Sequence, residues 1–285
     1  MVSGLPGHSI VLRGKGVPRS VSYVPAHLLP MSPVYTQSSE LPRFFAALAE
    51  EPNETIRDYL LLSLLTGARR ANVLAMRWAD MALDRGEWRI PLTKNGTPQT
   101  VTLTPESLEI LLRRQAANDA AADKRSSFVF PGPGKSGHLM EPKKGWQRTL
   151  ERAEVIELAN RLTQAGHYDE AAQALRAKAV AQPSEALEAL RKQALEAAVY
   201  IEGAGLGDLR IHDLRRTLGS WQAKTGASLA IIGKSLNHKN TATTAIYARL
   251  DLDPVRESMA RATSAMLTAA GVKKPAKVVK LAKTA

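Results

Sequence analysis

His212, Arg215, His238 and Tyr247 stand in that order late in the chain, in His212-Asp-Leu-Arg215, Leu236-Asn-His238 and, nine residues further, Tyr247. Arginine and histidine can hold and polarise a phosphate oxygen, and tyrosine offers a phenol oxygen as a nucleophile. Two upstream positions extend the set: Arg69 in Thr66-Gly-Ala-Arg69, and Lys94 in Lys94-Asn-Gly96. Taken singly, each has a bland explanation, because a lone helical His or Tyr is usually structural or on the surface. As an ordered set they point to attack on a phosphodiester, with fixed cations around it and a nucleophile beside it.

The elements that must position these residues can be read from periodicity and capping. A helix is predicted from Glu40 with Leu41, Phe44, Phe45 and Leu48 on one face, and a second from Asn53, a good N-cap, with Ile56, Tyr59, Leu60 and Leu64 buried. Gly67 breaks that helix, and a short one carrying Val73, Leu74 and Met76 follows. Residues 87–104 predict a β-hairpin, Trp88–Leu92 pairing with Thr100–Leu103 around Lys94-Asn95-Gly96. Pro105 opens a helix to about Asn118, Ser127–Phe130 reads as a short strand, and a further helix begins near Glu141. His212 and Arg215 share a helix face, with Leu214, Leu218 and Trp221 as its buried stripe. Gly226 ends that helix and Ser228 caps the next, whose Leu229, Ile232 and Leu236 point inward. His238 then falls on a turn and Tyr247 in a short helix; a last helix covers about 253–270. The fold class this implies is mainly α with a small antiparallel β-sheet (α+β).

Composition narrows the partners. Lysine and arginine number 39 against 27 acidic residues, a net charge of +12 over 285 residues, which favours a polyanion. The absence of cysteine excludes disulfides and thiolate metal sites and fits a reducing interior such as a bacterial cytoplasm. No apolar run reaches membrane-spanning length, so no membrane partner is expected.

The motifs resemble the catalytic domain of the tyrosine recombinase family, also called phage integrases. The likeness runs from about Leu41 to Leu250 and rests on Thr66-Gly-Ala-Arg69-Arg-Ala-Asn-Val-Leu-Ala-Met-Arg-Trp78, Lys94, His212-x-x-Arg215, His238 and Tyr247. It implies a site-specific recombinase that cleaves and rejoins double-stranded DNA through a 3′-phosphotyrosine. Arg69 and Arg215 would clamp the phosphate bidentately, and His238 would donate to the same oxygens. Tyr247 would attack, with His212 the favoured base or proton partner; by resemblance, Lys94 protonates the leaving 5′-hydroxyl. The phosphotyrosine stores the bond energy, so no ATP is needed; the cations come from the protein, so no metal and no other cofactor is expected. The family often has Glu three residues after the first arginine, where this chain has Asn72. Arg70 and Arg216 are alternative cations beside the two favoured arginines.

Three parts are expected: an irregular arm over 1–38, a catalytic domain over 39–271 with a helical insertion at 155–204, and a basic tail over 272–285. The insertion is rich in Ala, Glu, Leu, Gln and Lys and reads as two helices broken at Gln182-Pro183-Ser184. Gly166-His-Tyr168-Asp-Glu-Ala171 with Pro183 resembles part of one tetratricopeptide repeat, but a single unit cannot bury its face alone. The favoured reading of 155–204 is a helical hairpin packed on or beside the catalytic domain, with a protein-docking role as the alternative. Members of the family act as tetramers on paired sites, docking through the segment after the tyrosine, here Pro254 to Ala270; a monomer is expected without DNA. The family's N-terminal clamp domain has no counterpart in residues 1–40, which predicts weak, salt-sensitive DNA binding. Gly132-Pro-Gly134-Lys135-Ser136 lacks the spacing of a phosphate-binding loop, Gly203-Ala-Gly205-Leu-Gly207 reads as a linker, and His138 and His167 have no ligand-like companions. The rival readings are a DNA-binding or partner-docking module without catalysis, and a relaxing topoisomerase with the same chemistry.

Overall fold

The computed structural model describes residues 39–93, 96–206, 209–249 and 253–270. Helix α1 (Leu41–Ala49) buries Phe44, Ala47 and Leu48. Phe45 is expected on that face but is 40% exposed, because the buried face centres on Phe44, Ala47 and Leu48, with Phe44 packed against Trp146, and leaves Phe45 at its edge. Helix α2 (Glu54–Thr66) starts at Asn53, whose side chain accepts from the Ile56 amide at 3.1 Å. That bond satisfies one of the amides a helix start leaves without a partner. Ile56, Tyr59, Leu60 and Leu64 are buried, as their spacing predicts. Gly67 ends the helix at φ 57° in the left-handed region, and α3 (Arg70–Leu74) buries Val73 and Leu74.

Three short antiparallel strands follow in the order β1 (Met81–Ala82), β2 (Glu87–Ile90) and β3 (Gln99–Thr102). Trp88 lies opposite Val101, and both are buried. The predicted hairpin is present, but its strands stop short of the turn. Pro91 and Pro98 bound the gap, and neither can donate to a ladder. Lys94 and Asn95 lie outside the described residues. The predicted strand at Ser127–Phe130 reduces to an isolated bridge between Arg77 and Phe128. Its would-be partner curls into a 3-10 turn at Trp78–Asp80 and leaves no straight edge to extend.

Helix α4 (Pro105–Ala120) is capped by Thr104. Helix α5 (Lys143–Gln164) is continuous through the predicted start of the insertion. Its Trp146 and Ala153 belong to the main core, while Val155, Leu158 and Leu162 join a second core. That second core is completed by Ala172 of α6 (Glu170–Lys178) and by Leu187, Leu190 and Ala194 of α7 (Pro183–Glu196). The break at Gln182-Pro183 falls where it was read, because proline suits the first turn of α7. Arg152 anchors this junction, donating to Glu51 Oε2 at 2.8 Å and to the carbonyls of Ala179 and Val180.

Helix α8 (Ile211–Lys224) packs on α2, and α9 (Leu229–Ser235) is capped by Ser228. Ile232 and Leu236 are buried as expected; Leu229, the first residue of α9, is 39% exposed because the buried stripe begins a turn later. Helix α10 (Thr241–Ala245) leads into a 3-10 turn at Ile246–Arg249, and α11 (Asp253–Ala269) follows. No helix among the described residues is long and apolar enough to cross a membrane.

Candidate active site

The turn at Leu236–His238 gathers the site. It follows α9 and turns through Asn237, a non-glycine residue at φ 49°. Arg215 reaches it from α8. The arginine is 5% exposed, donates Nη1 to the Gly67 carbonyl at 2.5 Å and donates Nη2 to the Leu236 carbonyl. Arg69, at the start of α3, donates Nη2 to the Asn237 carbonyl at 3.2 Å. Two guanidinium groups from separate helices therefore grip adjacent carbonyls of one turn. Among the described residues, neither has a carboxylate within ion-pair distance. Arg69 Nη1 and Asn72 Nδ2 are buried without a hydrogen-bond partner. Buried donors in that state cost free energy until an acceptor satisfies them.

The electrostatics follow. Burial and then the neighbouring Arg69 push the Arg215 guanidinium down to about 10 from its usual 12.5. Burial, then Arg215, Arg69 and His212, push His238 down to about 4. His212 is exposed at the start of α8; what desolvation it has, and then Arg215 and Arg216, hold its ring below the ordinary value. An anion placed among these groups would relieve their mutual repulsion.

Tyr247 lies on the far side of the same turn. It is 3% exposed and shares a small core with Ile232 and Leu236. Its ring stacks nearly parallel to His238, with centroids 6.4 Å apart. Burial raises the pKa of its phenol, opposed by Arg215 and Arg216. The ring fits because residue 219 is glycine: a Cβ there would lie 2.7 Å from Tyr247 Cζ and 2.9 Å from Leu236 Cδ1. Gly67 is constrained in the same way, since a Cβ would meet Leu218 and Leu236 side chains at 2.8 and 2.9 Å.

Of the residues singled out from the sequence, Arg69, Arg215, His238 and Tyr247 meet at this turn, and His212 borders it. No hydrogen bond joins His212 to Tyr247. Lys94 falls outside the described residues. Of the alternative cations, Arg216 is committed to Asp213 at 2.7 Å. Sequence reasoning missed Gly219, although a glycine inside a helix costs about 1 kcal/mol and flags a close approach. It also missed Thr244, whose Oγ1 lies 3.0 Å from His238 Nδ1; its sequence position carries no such signal.

A family model described as the phage integrase family matches residues 35–253. The chain is 32% identical over 120 residues to the prophage integrase IntF of Escherichia coli K12, covering 42% of this chain and 25% of that one. It is 49% identical over 45 residues to the putative integrase/recombinase y4rA of Sinorhizobium fredii, covering 16% of this chain and 11% of the relative. The aligned stretches thus span a quarter or less of these curated relatives. Among solved structures, the crystal structure of XerA recombinase superposes with a TM-score of 0.50 at 16% identity, over 82% of this chain and 66% of the other.

Proposed function

The chain belongs to the phage integrase family, and from that membership we propose that it is a DNA strand-exchange enzyme working through a covalent bond between Tyr247 and a DNA 3′-phosphate. One observation carries the reading: two guanidiniums without a carboxylate, the buried Arg215 and the half-buried Arg69, converge with His238 on the turn against which Tyr247 packs. A phosphodiester attacked by a phenol develops charge on its non-bridging oxygens, and positioned cations lower that barrier. Arg69 and Arg215 are the clamp, and His238 donates to the same oxygens. The orphaned Nη1 of Arg69 is a donor suited to that anion.

Tyr247 attacks the phosphorus, and the 5′-oxygen of the next nucleotide leaves. Lys94, by resemblance to the family, protonates that oxygen, and His212 takes the phenol proton. In the free chain the phenol is buried and its pKa raised, so attack follows a rearrangement on DNA. The phosphotyrosine keeps the phosphoester bond energy, so a 5′-hydroxyl from a second strand can reverse the step without ATP. The protein supplies the cations, and no metal is invoked. Strand exchange needs paired sites, hence a tetramer on DNA.

The insertion is assigned a different surface. Residues 155–204 carry seven acidic and five basic side chains on a chain of net charge +12, which sets them against a phosphate backbone. Leu195 and Tyr200 are 60% and 68% exposed there, suited to a protein partner.

A duplex nicked just beyond the cleaved phosphate tests the chemistry, because the released fragment diffuses away and traps the adduct. A covalent protein–DNA band is expected, and Tyr247→Phe should abolish it while DNA is still retained in a mobility shift. Retention without any band from the unaltered chain would favour a binding module; relaxation of supercoils without junction products would favour a topoisomerase.

A further inference from the structure

We propose that Thr244 is a positioning residue, whose hydroxyl donates to His238 Nδ1 and so fixes the proton of the neutral imidazole on Nε2. The two atoms are 3.0 Å apart, and Thr244 is 2% exposed. The contact is built rather than incidental. The His238 amide donates to the Gly233 carbonyl at 2.9 Å, which sets the ring's origin. A Cβ at position 233 would approach Thr244 Oγ1 to 3.2 Å, so glycine there leaves room for the hydroxyl.

The chemistry sets the direction of this hydrogen bond. A neutral imidazole has one N–H, and the nitrogen without it presents a lone pair. The surroundings of His238 favour the neutral form, because burial and two guanidiniums oppose its protonation. If Thr244 accepted from Nδ1–H, Nε2 would offer a lone pair to a phosphate oxygen and repel it. If Thr244 donates, Nε2–H is a donor already in place before the phosphate arrives. Thr244 also stands three residues before Tyr247, so one hydroxyl ties the nucleophile's segment to the phosphate-binding histidine. The catalytic consequence rests on His238 acting on the phosphate, as proposed above; the tautomer does not.

The test therefore has two independent readouts. With 15N-histidine label, two-bond proton–nitrogen correlations at neutral pH should show His238 of the unaltered chain with Nε2 protonated and Nδ1 bare. Thr244→Val should give averaged nitrogen shifts, with the other histidines unmoved, and Thr244→Ser should restore the single tautomer. A proton on Nδ1 in the unaltered chain, or a Val variant with unchanged His238 shifts, would overturn the proposal. On the nicked duplex, Thr244→Val should slow adduct formation ~10-fold, the scale of one hydrogen bond, with rescue by Ser. In a His238→Ala background the same substitution should have almost no further effect; an undiminished loss there would show that Thr244 acts by another route. Absence of adduct from the unaltered chain would remove the strand-exchange reading and leave the tautomer assignment to stand or fall on the spectra.

Discussion

Arg152 and Arg215 are both buried arginines on helices, and they are completed in opposite ways. Arg152, fully buried in α5, meets Glu51 at 2.8 Å and the carbonyls of Ala179 and Val180. Arg215, in α8, meets two carbonyls and a second guanidinium. The charge at Arg152 is balanced inside the fold: burial would raise the Glu51 carboxyl, yet bonds from Arg148 and Arg152 leave its pKa below the ordinary value. Arg215 has no such balance, and its own pKa is pushed down to about 10. The insertion junction is thus a finished structure, while the turn at Leu236–His238 keeps its cations without a carboxylate, as the proposed phosphate site requires. Functional sites commonly give up stability in this way.

The sharpest separation of the two is by activity. Arg215→Met should reduce adduct formation on a nicked duplex by ~10³-fold or more, the scale of losing one fixed cation from phosphoryl transfer. Its thermal midpoint should change little, because removing an uncompensated buried charge offsets the loss of the bonds to the Gly67 and Leu236 carbonyls. A marked fall in midpoint would mean that Arg215 is structural, like Arg152, and would collapse the contrast.

Arg152→Met should do the reverse. It leaves Glu51 to Arg148 and strands the Ala179 and Val180 carbonyls, a loss of about 2–4 kcal/mol in urea unfolding. Activity per folded molecule should be kept, since nothing in the site touches this residue. A stability change under ~1 kcal/mol would show that the junction relaxes around the loss, contrary to its dense packing.

An intermediate effect concerns the anion itself. Sulfate or phosphate in the millimolar range should raise the thermal midpoint of the unaltered chain, a stabilisation of ~1–3 kcal/mol for concentrations well above the dissociation constant. The rise should vanish in Arg215→Met and persist in Arg152→Met. Equal stabilisation of both variants would mark the salt effect as non-specific.

The contrast also explains what the sequence could carry. Local features were legible: the Asn53 cap, the α2 stripe, the Ser228 cap and the helix start at Pro183 each depend on a few neighbouring residues. The order of side-chain types also singled out Arg69, Arg215, His238 and Tyr247, which the fold brings to one turn. The long-range packing was not. That Tyr247 lies buried against Gly219, that Arg215 is held by the Gly67 and Leu236 carbonyls, and that Thr244 meets His238 all depend on how α2, α8, α9 and α10 fit together. The continuity of α5 through position 155 was hidden for a related reason: a change of composition marks a change of neighbours, and the helix itself need not break there.

The smallest effect is on pH dependence, and its sign follows from His238. Its pKa lies at about 4 in the folded chain, against an ordinary 6.5. Between those values the unfolded chain binds the proton and the folded chain resists it, so acidification favours unfolding. The stability contributed by the neutral ring is complete above about 6.5 and is lost as pH falls toward 4. The slope for one such group is at most ~1.4 kcal/mol per pH unit, less where solvent reaches the ring. His212, also held below its ordinary value, adds a term of the same sign. The difference in urea stability between the unaltered chain and His238→Asn isolates the share of His238: relative to the variant, the unaltered chain should weaken from pH 7 to pH 5. Saturating sulfate should flatten that difference, because an anion on Arg69 and Arg215 offsets the charges that oppose protonation of His238. A difference that ignores pH would mean the ring is not held neutral by those arginines. A difference that ignores sulfate would place the anion elsewhere and leave the two buried arginines alike after all.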